Sequence, residues 1–266
     1  MKDVKTKYKD YLESPAGAGK YHRFKDILYG RRDSLVLELF KIIYPLIKSH
    51  KNLAVLDVGG GDGKRLRHLI DLFQKKGIKV EADLVDPSRT FIASLKKDLG
   101  KIKYPIRAQR NSFEKFESKR RYDLIILIHS IYTFRDYQYL TKIKNLLEPG
   151  GWAVFVVNDA DSFLGGLKKI TDARFQSSRN EVDALLRGLR QYKYTIRKFD
   201  TRFSGVLTDQ QLNAKGKLIL EWIGMRLLSD IPPETIEKAR KFYICRMKKG
   251  LIREKEVVVI TSFGSK

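Results

Sequence analysis

From Leu53 onward the chain alternates short apolar runs with stretches in which apolar residues recur every three or four positions. That is the pattern of strands exchanging with amphipathic helices. Leu53 to Val58 predicts a first strand, and Leu66, Leu69, Ile70 and Phe73 mark the buried face of the helix behind it. Val80 to Val85 predicts a second strand, which leads through Asp86-Pro-Ser88 into a helix carrying Phe91, Ile92, Leu95 and Leu99, with Ser88 placed to cap it. A weaker third strand falls near Pro105 to Ala108, and Asp123 to His129 reads as a continuous buried fourth. A helix follows from Arg135 to Leu147, and Glu148-Pro-Gly-Gly151 turns the chain into a fifth strand, Trp152 to Val157. Strands that alternate with helices and are apolar on both faces belong to a covered parallel sheet.

Beyond Asn158 the pattern loosens. Helices are expected at Phe163 to Ala173, Glu181 to Gln191, Lys217 to Leu228 and Pro233 to Lys249, and two more strands at Tyr194 to Phe203 and Val257 to Thr261. The predicted fold is therefore α/β, a doubly wound, mostly parallel seven-stranded sheet. At the other end, residues 1 to 20 are polar and close on Ser14-Pro-Ala-Gly-Ala-Gly19, a flexible segment not expected to hold one structure alone. A helix is then predicted from Leu35, Leu39, Ile42, Ile43, Leu46 and Ile47, with Asp33 or Ser34 as its cap and Pro45 bending or ending it. The expected division is an N-terminal segment and lid helix over 1–50 and a Rossmann-like domain over 51–266, with helical substrate-side additions at about 160–250.

Charge widens the range of partners. Lys and Arg number 54 against 31 Asp and Glu, a formal net charge of +23, which attracts polyanions such as nucleic acid or an acidic membrane surface. The clusters Lys119-Arg120-Arg121 and Arg246-Met247-Lys248-Lys249 are short, so a scattered, solvated distribution is the competing reading. With Cys245 as the sole cysteine, an internal disulfide and a thiolate metal cluster are excluded, and no metal is expected. The start Met1-Lys-Asp-Val-Lys-Thr-Lys-Tyr8 has no apolar core of a signal peptide, and Leu124 to Ile128 is far too short to span a bilayer. A cytoplasmic address is the expectation.

The chemistry starts at Val55-Leu-Asp57-Val-Gly59-Gly-Gly61-Asp-Gly63, which closes a strand and opens a helix. Absent side chains there let a ligand press on the backbone beside the exposed N–H groups of a helix N-terminus. A dinucleotide site prefers G-x-G-x-x-G. Here the third glycine comes one residue early, and Gly63-Lys64-Arg65 breaks the P-loop pattern. Asp86 ends the second strand, where an acid accepts both hydroxyls of a ribose. It could equally cap the next helix. Asn111 and Ser112 follow the third strand, where a polar group can accept from an adenine amino group or serve an ordinary loop. Ile128 and His129 end the fourth strand, beside the crevice in which open α/β sheets hold their ligands.

The G-x-G-x-G turn, the acid ending the next strand and the Leu146-Leu-Glu-Pro-Gly-Gly151 turn together resemble a class I S-adenosylmethionine-dependent methyltransferase, over roughly residues 50 to 160. The resemblance implies that family's strand order, an antiparallel last strand, and S-adenosylmethionine at Asp57, Gly59, Gly61, Gly63, Asp86, Asn111, Ser112 and Ile128. A narrower resemblance, to the histamine N-methyltransferase-like group, rests on Val85-Asp-Pro-Ser88, Ile128-His-Ser-Ile-Tyr-Thr-Phe-Arg-Asp136, Phe155-Val-Val157 with Phe163 to Phe175, and Ile231-Pro-Pro233. It implies a substrate-facing side chain directly after the fourth-strand isoleucine, here His129, and an acid near the N-terminal helix that meets the substrate amine, here Asp33. The family's amide-bearing segment before the last strand is replaced by Arg253-Glu-Lys-Glu256.

Three functions remain in play. The first is a small-molecule N-methyltransferase with His129, Asp33 and Tyr132 as the catalytic candidates, His129 accepting the acceptor's proton and Asp33 holding its cation, although His129 could be satisfied by backbone and Tyr132 could simply pack. The second is a methyltransferase of RNA or protein, favoured by the net charge and by the interleaved basic and aromatic residues of Arg187-Gly-Leu-Arg-Gln-Tyr-Lys-Tyr194. Against it stands the lack of Asp/Asn-Pro-Pro-Tyr/Phe after the fourth strand. The third is a cofactor-binding protein without catalysis.

Overall fold

A computed structural model describes residues 13–29, 33–100, 105–131, 134, 137–159, 161–171, 178–224 and 228–265. In chain order its helices and strands are α1 Pro15–Tyr29, α2 Ser34–Ile47, β1 Asn52–Val58, α3 Lys64–Gln74, β2 Lys79–Asp86, α4 Arg89–Leu99, β3 Ile106–Arg110 and β4 Tyr122–Ile128. There follow α5 Gln138–Leu146, β5 Leu147–Asn158, α6 Phe163–Thr171, α7 Ser178–Gly188, β6 Tyr192–Ser204, the short hairpin β7 Leu207–Thr208 and β8 Gln211–Leu212, α8 Ala214–Gly224, α9 Pro233–Arg246 and β9 Leu251–Ser265. The chain divides into two compact units, one of residues 1–35, 158–182 and 198–256, the other of 36–157, 183–197 and 257–266.

The second unit is built on the seven-stranded sheet, ordered β3-β2-β1-β4-β5-β9-β6, mostly parallel with one antiparallel strand. Strands β1 to β5 run parallel, with Leu56 opposite Asp83 and Ile125, and Ile128 opposite Val156. The predicted helix faces do the packing: Leu66, Leu69, Ile70 and Phe73 on α3, and Phe91, Ile92 and Leu95 on α4, are all buried. Ser88 caps α4, its Oγ accepting from the Phe91 N–H at 3.2 Å. Asp83 is buried yet bonded on three sides, by Arg107 Nε at 2.7 Å, Arg107 Nη2 at 3.0 Å and the Tyr122 hydroxyl at 2.7 Å. Burial pushes the Tyr122 phenol up to about 12.

Three expectations are corrected. Of the segment 1 to 20, residues 1–12 lie outside the described residues, and Ser14-Pro-Ala-Gly-Ala-Gly19 opens a helix rather than a flexible tether: Ser14 Oγ accepts from the Gly17 N–H at 3.0 Å, and the helix runs on to Tyr29. Tertiary burial outweighs the low helix propensity of its glycines, because Phe24 and Leu28 are buried and Phe24 packs on Trp222 with ring centroids 5.5 Å apart. Pro45 does not end α2, which continues to Ile47 with Ile43 and Ile47 fully buried. The Glu148-Pro-Gly-Gly151 segment is not a turn ahead of the fifth strand but a bulge within it, where the register passes from Tyr122 opposite Leu147 to Leu124 opposite Trp152. Gly150 has φ +83, and a Cβ on Gly151 would lie 2.9 Å from the Tyr122 carbonyl oxygen.

The first unit is helical and aromatic at its centre. Phe163 meets Tyr243 edge-on at 4.8 Å and stacks on Phe242 at 5.5 Å. Beside them lies a buried polar cluster. Asn158 Nδ2 donates to Glu254 Oε1 at 2.9 Å, the Leu164 N–H donates to Glu254 Oε2 at 2.9 Å, and the Tyr29 hydroxyl donates to Glu256 Oε1 at 3.0 Å. Both glutamates are fully buried. Burial, and then the neighbouring charge of Glu256, holds the Glu254 carboxyl well above the usual carboxylate range.

A group that keeps its proton longer in the folded than in the unfolded state contributes stability in full below its unfolded pKa and loses it as pH rises above that value. Urea-denaturation midpoints should therefore fall from pH 4 towards pH 8, and Glu256→Gln, which removes the second cause while keeping an acceptor for Tyr29, should make that fall shallower. An unchanged slope in the variant would refute the assignment.

Candidate functional site

The glycine turn lies at the carboxyl end of β1, and its backbone could be followed by few other residues. Gly59, Gly61 and Gly63 have φ of +72, +60 and +68, the left-handed region that suits glycine. The surroundings of the glycines differ. A Cβ on Gly59 would lie 2.5 Å from the Ser130 Cβ, and one on Gly63 would lie 2.8 Å from Leu95 Cδ1. One on Gly60 would collide with Asp57 Oδ2 and Leu84. At Gly61 the nearest atom, Phe91 Cδ2, is 3.8 Å away. Gly59, Gly60 and Gly63 are thus demanded by the protein's own packing, whereas Gly61 keeps open space above the backbone.

Asp86, at the end of β2, ties the turn down. Its Oδ2 accepts from the Gly61 N–H at 2.9 Å and its Oδ1 from the Ser88 N–H at 2.8 Å. Asp57 is 2% exposed, its carboxylate lying beneath Gly60. Asn111 receives the chain after β3, its N–H donating to the Asp86 carbonyl at 3.2 Å, while its Nδ2 donates to the Lys115 carbonyl at 3.1 Å and leaves Oδ1 as the acceptor. Ser112 precedes a short 3-10 turn, Phe113–Lys115, without a side-chain cap bond.

On β4, Ile128 is buried and opposite Val156. His129 follows outside the strand, with φ 55, its N–H donating to the Val156 carbonyl at 2.9 Å and its side chain half-buried. Positive φ at a non-glycine residue stores strain. It turns the chain so that Ser130 Oγ donates to the Val58 carbonyl at 2.7 Å, directly under Gly59. Ser130 is the residue that sequence reasoning missed. The signal was there, since a sheet that places β4 beside β1 must bring the residue after the β4 end against the first glycine.

The structure thus brings Asp57, Gly59, Gly61, Gly63, Asp86, Asn111, Ser112, Ile128 and His129 into the sheet unit, at or just beyond the carboxyl ends of β1, β2, β3 and β4. Asp33 belongs to the other unit, in the turn before α2 with φ 42 and Oδ1 buried. Tyr132 lies outside the described residues. A groove of about 930 Å³ lined by Phe116, Lys119, Thr141, Lys142 and Asn145 opens elsewhere, on α5 and the segment leading into β4. It is not part of the turn. Among the described residues, no group of three or more His, Cys, Asp and Glu could hold a metal ion.

A glycine cradle with open space at one position, an acid at the end of β2 and an amide past β3 fit the carboxypropyl, ribose and adenine parts of S-adenosylmethionine. A model of the methyltransferase domain family matches residues 27–203, and the chain belongs to that family. Among solved structures, the YcgJ protein from Bacillus subtilis superposes with a TM-score of 0.58 at 15% identity, covering 86% of this chain and 99% of the other. The plantazolicin methyltransferase BpumL, in complex with a triazolic desmethylPZN analog and SAH, gives 0.56 at 12% identity over 96% and 94%. Its counterpart BamL, with the same ligands, gives 0.56 at 14% over 97% and 99%. These likenesses are likenesses of fold. No curated protein matches the chain by sequence.

The contrast between Gly61 and Gly63 can be measured. Gly61→Arg should remain folded while losing at least about tenfold in affinity for S-adenosylmethionine by calorimetry, ~1.4 kcal/mol. Both positions share the strain of a positive φ, and Gly63→Ala should cost about 1–3 kcal/mol more stability than Gly61→Ala through the Leu95 overlap. Unchanged cofactor affinity in Gly61→Arg would remove the turn from the cofactor site.

Proposed function

We propose that this methyltransferase moves the methyl group of S-adenosylmethionine onto a nitrogen of a small molecule, in the manner of the histamine N-methyltransferase-like group. The cofactor is S-adenosylmethionine, held by the turn from Asp57 to Gly63 and by Asp86, with Asn111, Ser112 and Ile128 around the adenine. The observation that carries the acceptor reading is His129: a half-buried imidazole set by a strained backbone, φ 55, one residue past β4 and one before the serine that packs under Gly59.

Bound there, S-adenosylmethionine supplies an electrophilic methyl carbon. Displacement at that carbon needs an aligned lone pair and the exclusion of water. As the C–N bond forms, the electrons of the C–S bond stay with sulfur, and the acceptor's surplus proton goes to His129, which returns it to solvent. Asp33 is assigned to the substrate cation before transfer, and Tyr132 to the wall of the acceptor site. In this reading residues 1–50 form a lid and about 160–250 are substrate-side additions. No described helix is long and apolar enough to cross a membrane.

Methyl-labelled S-adenosylmethionine offered with a panel of primary and heteroaromatic amines should label one of them. His129→Ala should lower kcat about 100-fold while leaving cofactor affinity within about twofold of the parent. Equal turnover of the two proteins would remove the role given to His129, and labelling of RNA or protein in place of every amine would overturn the acceptor class.

A further inference from the structure

One face of the sheet unit carries a feature that the cofactor site does not use. Between Arg187 at the end of α7 and Arg197 in β6 the chain has four cations, Arg187, Arg190, Lys193 and Arg197, and no acid. All four are exposed. Among the described residues none of them makes an ion pair, whereas Arg107, Arg120 and Arg240 elsewhere lie within 3.1 Å of Asp83, Glu81 and Glu237.

The same edge presents rings, Tyr192 and Tyr194 on one side of β6 and Lys193 on the other, as successive strand residues alternate. Tyr137 is 44% exposed, and its ring lies against Gly188, where a Cβ would come within 2.8 Å of it. Lys144 of α5 sits 5.0 Å above the ring of Tyr192, which packs edge-on against Phe263 at 4.9 Å. Tyr194 is half-buried, and Ile196 is 37% exposed. Strand β6 is the last in the sheet order, so the rings and cations are arrayed along its edge.

Cations on an edge strand commonly serve only to block pairing with another chain. That purpose explains Lys193 and Arg197. It does not explain Arg187 and Arg190, which precede the strand, Lys144 on a separate helix, or the exposed ring of Tyr137, which works against solubility. Cations along one side of an exposed edge strand with aromatic rings along the other suit a ligand that follows the edge and carries a row of negative charges and flat, stackable groups. From Lys193 to Arg197 an extended strand covers ~13 Å, enough for a few nucleotides. An acidic peptide would match the charges and leave the rings unused.

We propose that the surface formed by the end of α7, the first half of β6 and the outer side of α5 docks a single-stranded nucleic acid. The proposal concerns docking and stands apart from the acceptor assigned above, since cofactor binding and amine methylation are read by different assays. The full chain should bind a labelled oligouridylate of about 16 nucleotides. The slope of log K against log salt should lie near −2 to −3, as expected for three or four neutralised phosphates on a single strand at ~0.7 each.

Arg190→Glu/Lys193→Glu/Arg197→Glu should weaken binding at least tenfold. Lys51→Glu/Lys75→Glu/Lys96→Glu, an equal charge change at exposed positions of the same unit, should weaken it less than twofold. Tyr137→Ala/Tyr194→Ala should weaken the oligonucleotide and leave polyglutamate binding unchanged. S-adenosylmethionine affinity reports that each variant is folded, and glutamine replacements at the same three positions serve if the glutamate variant fails that check. Absence of binding, an equal loss in both charge variants, or polyglutamate binding as tight as the oligonucleotide and indifferent to the tyrosines would each overturn the proposal.

Discussion

The carboxylate of Asp86 is the point on which the sheet unit closes. By accepting from Gly61 and from Ser88, it fixes the turn that opens α3 and the cap that opens α4, so two helix N-termini are set by one side chain at the end of β2. Ser130 does the corresponding work from β4, donating to the Val58 carbonyl beneath Gly59. Three neighbouring strands therefore converge on six residues, Val58, Gly59, Gly61, Asp86, Ser88 and Ser130. That convergence is why the turn has so little tolerance, and why its glycines divide into two kinds: Gly59, Gly60 and Gly63 yield space to the protein, while Gly61 keeps open space above the backbone. A glycine motif read as one signal is here three packing requirements and one open position.

Much of this was legible in the sequence because the signal was local. Short strands apolar on both faces, alternating with helices striped every three or four residues, leave few arrangements other than a covered parallel sheet. The positions chosen for the glycine turn, Asp86 and Ile128 fall where the fold places them because strand ends are marked by a change of pattern. What was not legible was non-local. Helix α1 depends on Phe24 finding Trp222, nearly 200 residues away in sequence, and nothing within Ser14 to Gly19 announces it. The bulge in β5 depends on the Tyr122 carbonyl lying against Gly151, so a Pro-Gly-Gly run reads locally as a turn. Ser130 is ordinary until β4 is known to lie beside β1.

The pair Glu254 and Glu256 shows the same limit from the polar side. Acids two apart in a strand share a face, and by composition that face reads as solvent-exposed. In the structure both are fully buried, bonded to Asn158, Tyr29 and the Leu164 backbone. Burying two carboxyls together is costly unless one keeps its proton. The direction in which Glu254 is shifted follows from that cost and from its neighbour. A residue at the end of α1, one at the end of β5 and two on β9 are thereby joined within the first unit, by hydrogen bonds whose balance depends on a single proton.

The distribution of charge adds the last constraint. With 54 basic and 31 acidic residues, most of the surplus cannot be paired, so the informative question is whether it is dispersed. Asp83, Glu81 and Glu237 draw their arginines into pairs, while Arg187, Arg190, Lys193 and Arg197 make no ion pair among the described residues and have rings beside them. In the sheet order β1 and β6 are separated by β4, β5 and β9, four strand spacings or roughly 19 Å. A small acceptor seated at the glycine turn cannot touch that face. Whatever engages both must be extended, so the two surfaces serve either one long ligand or two independent ones, and the width of the sheet excludes a single compact molecule.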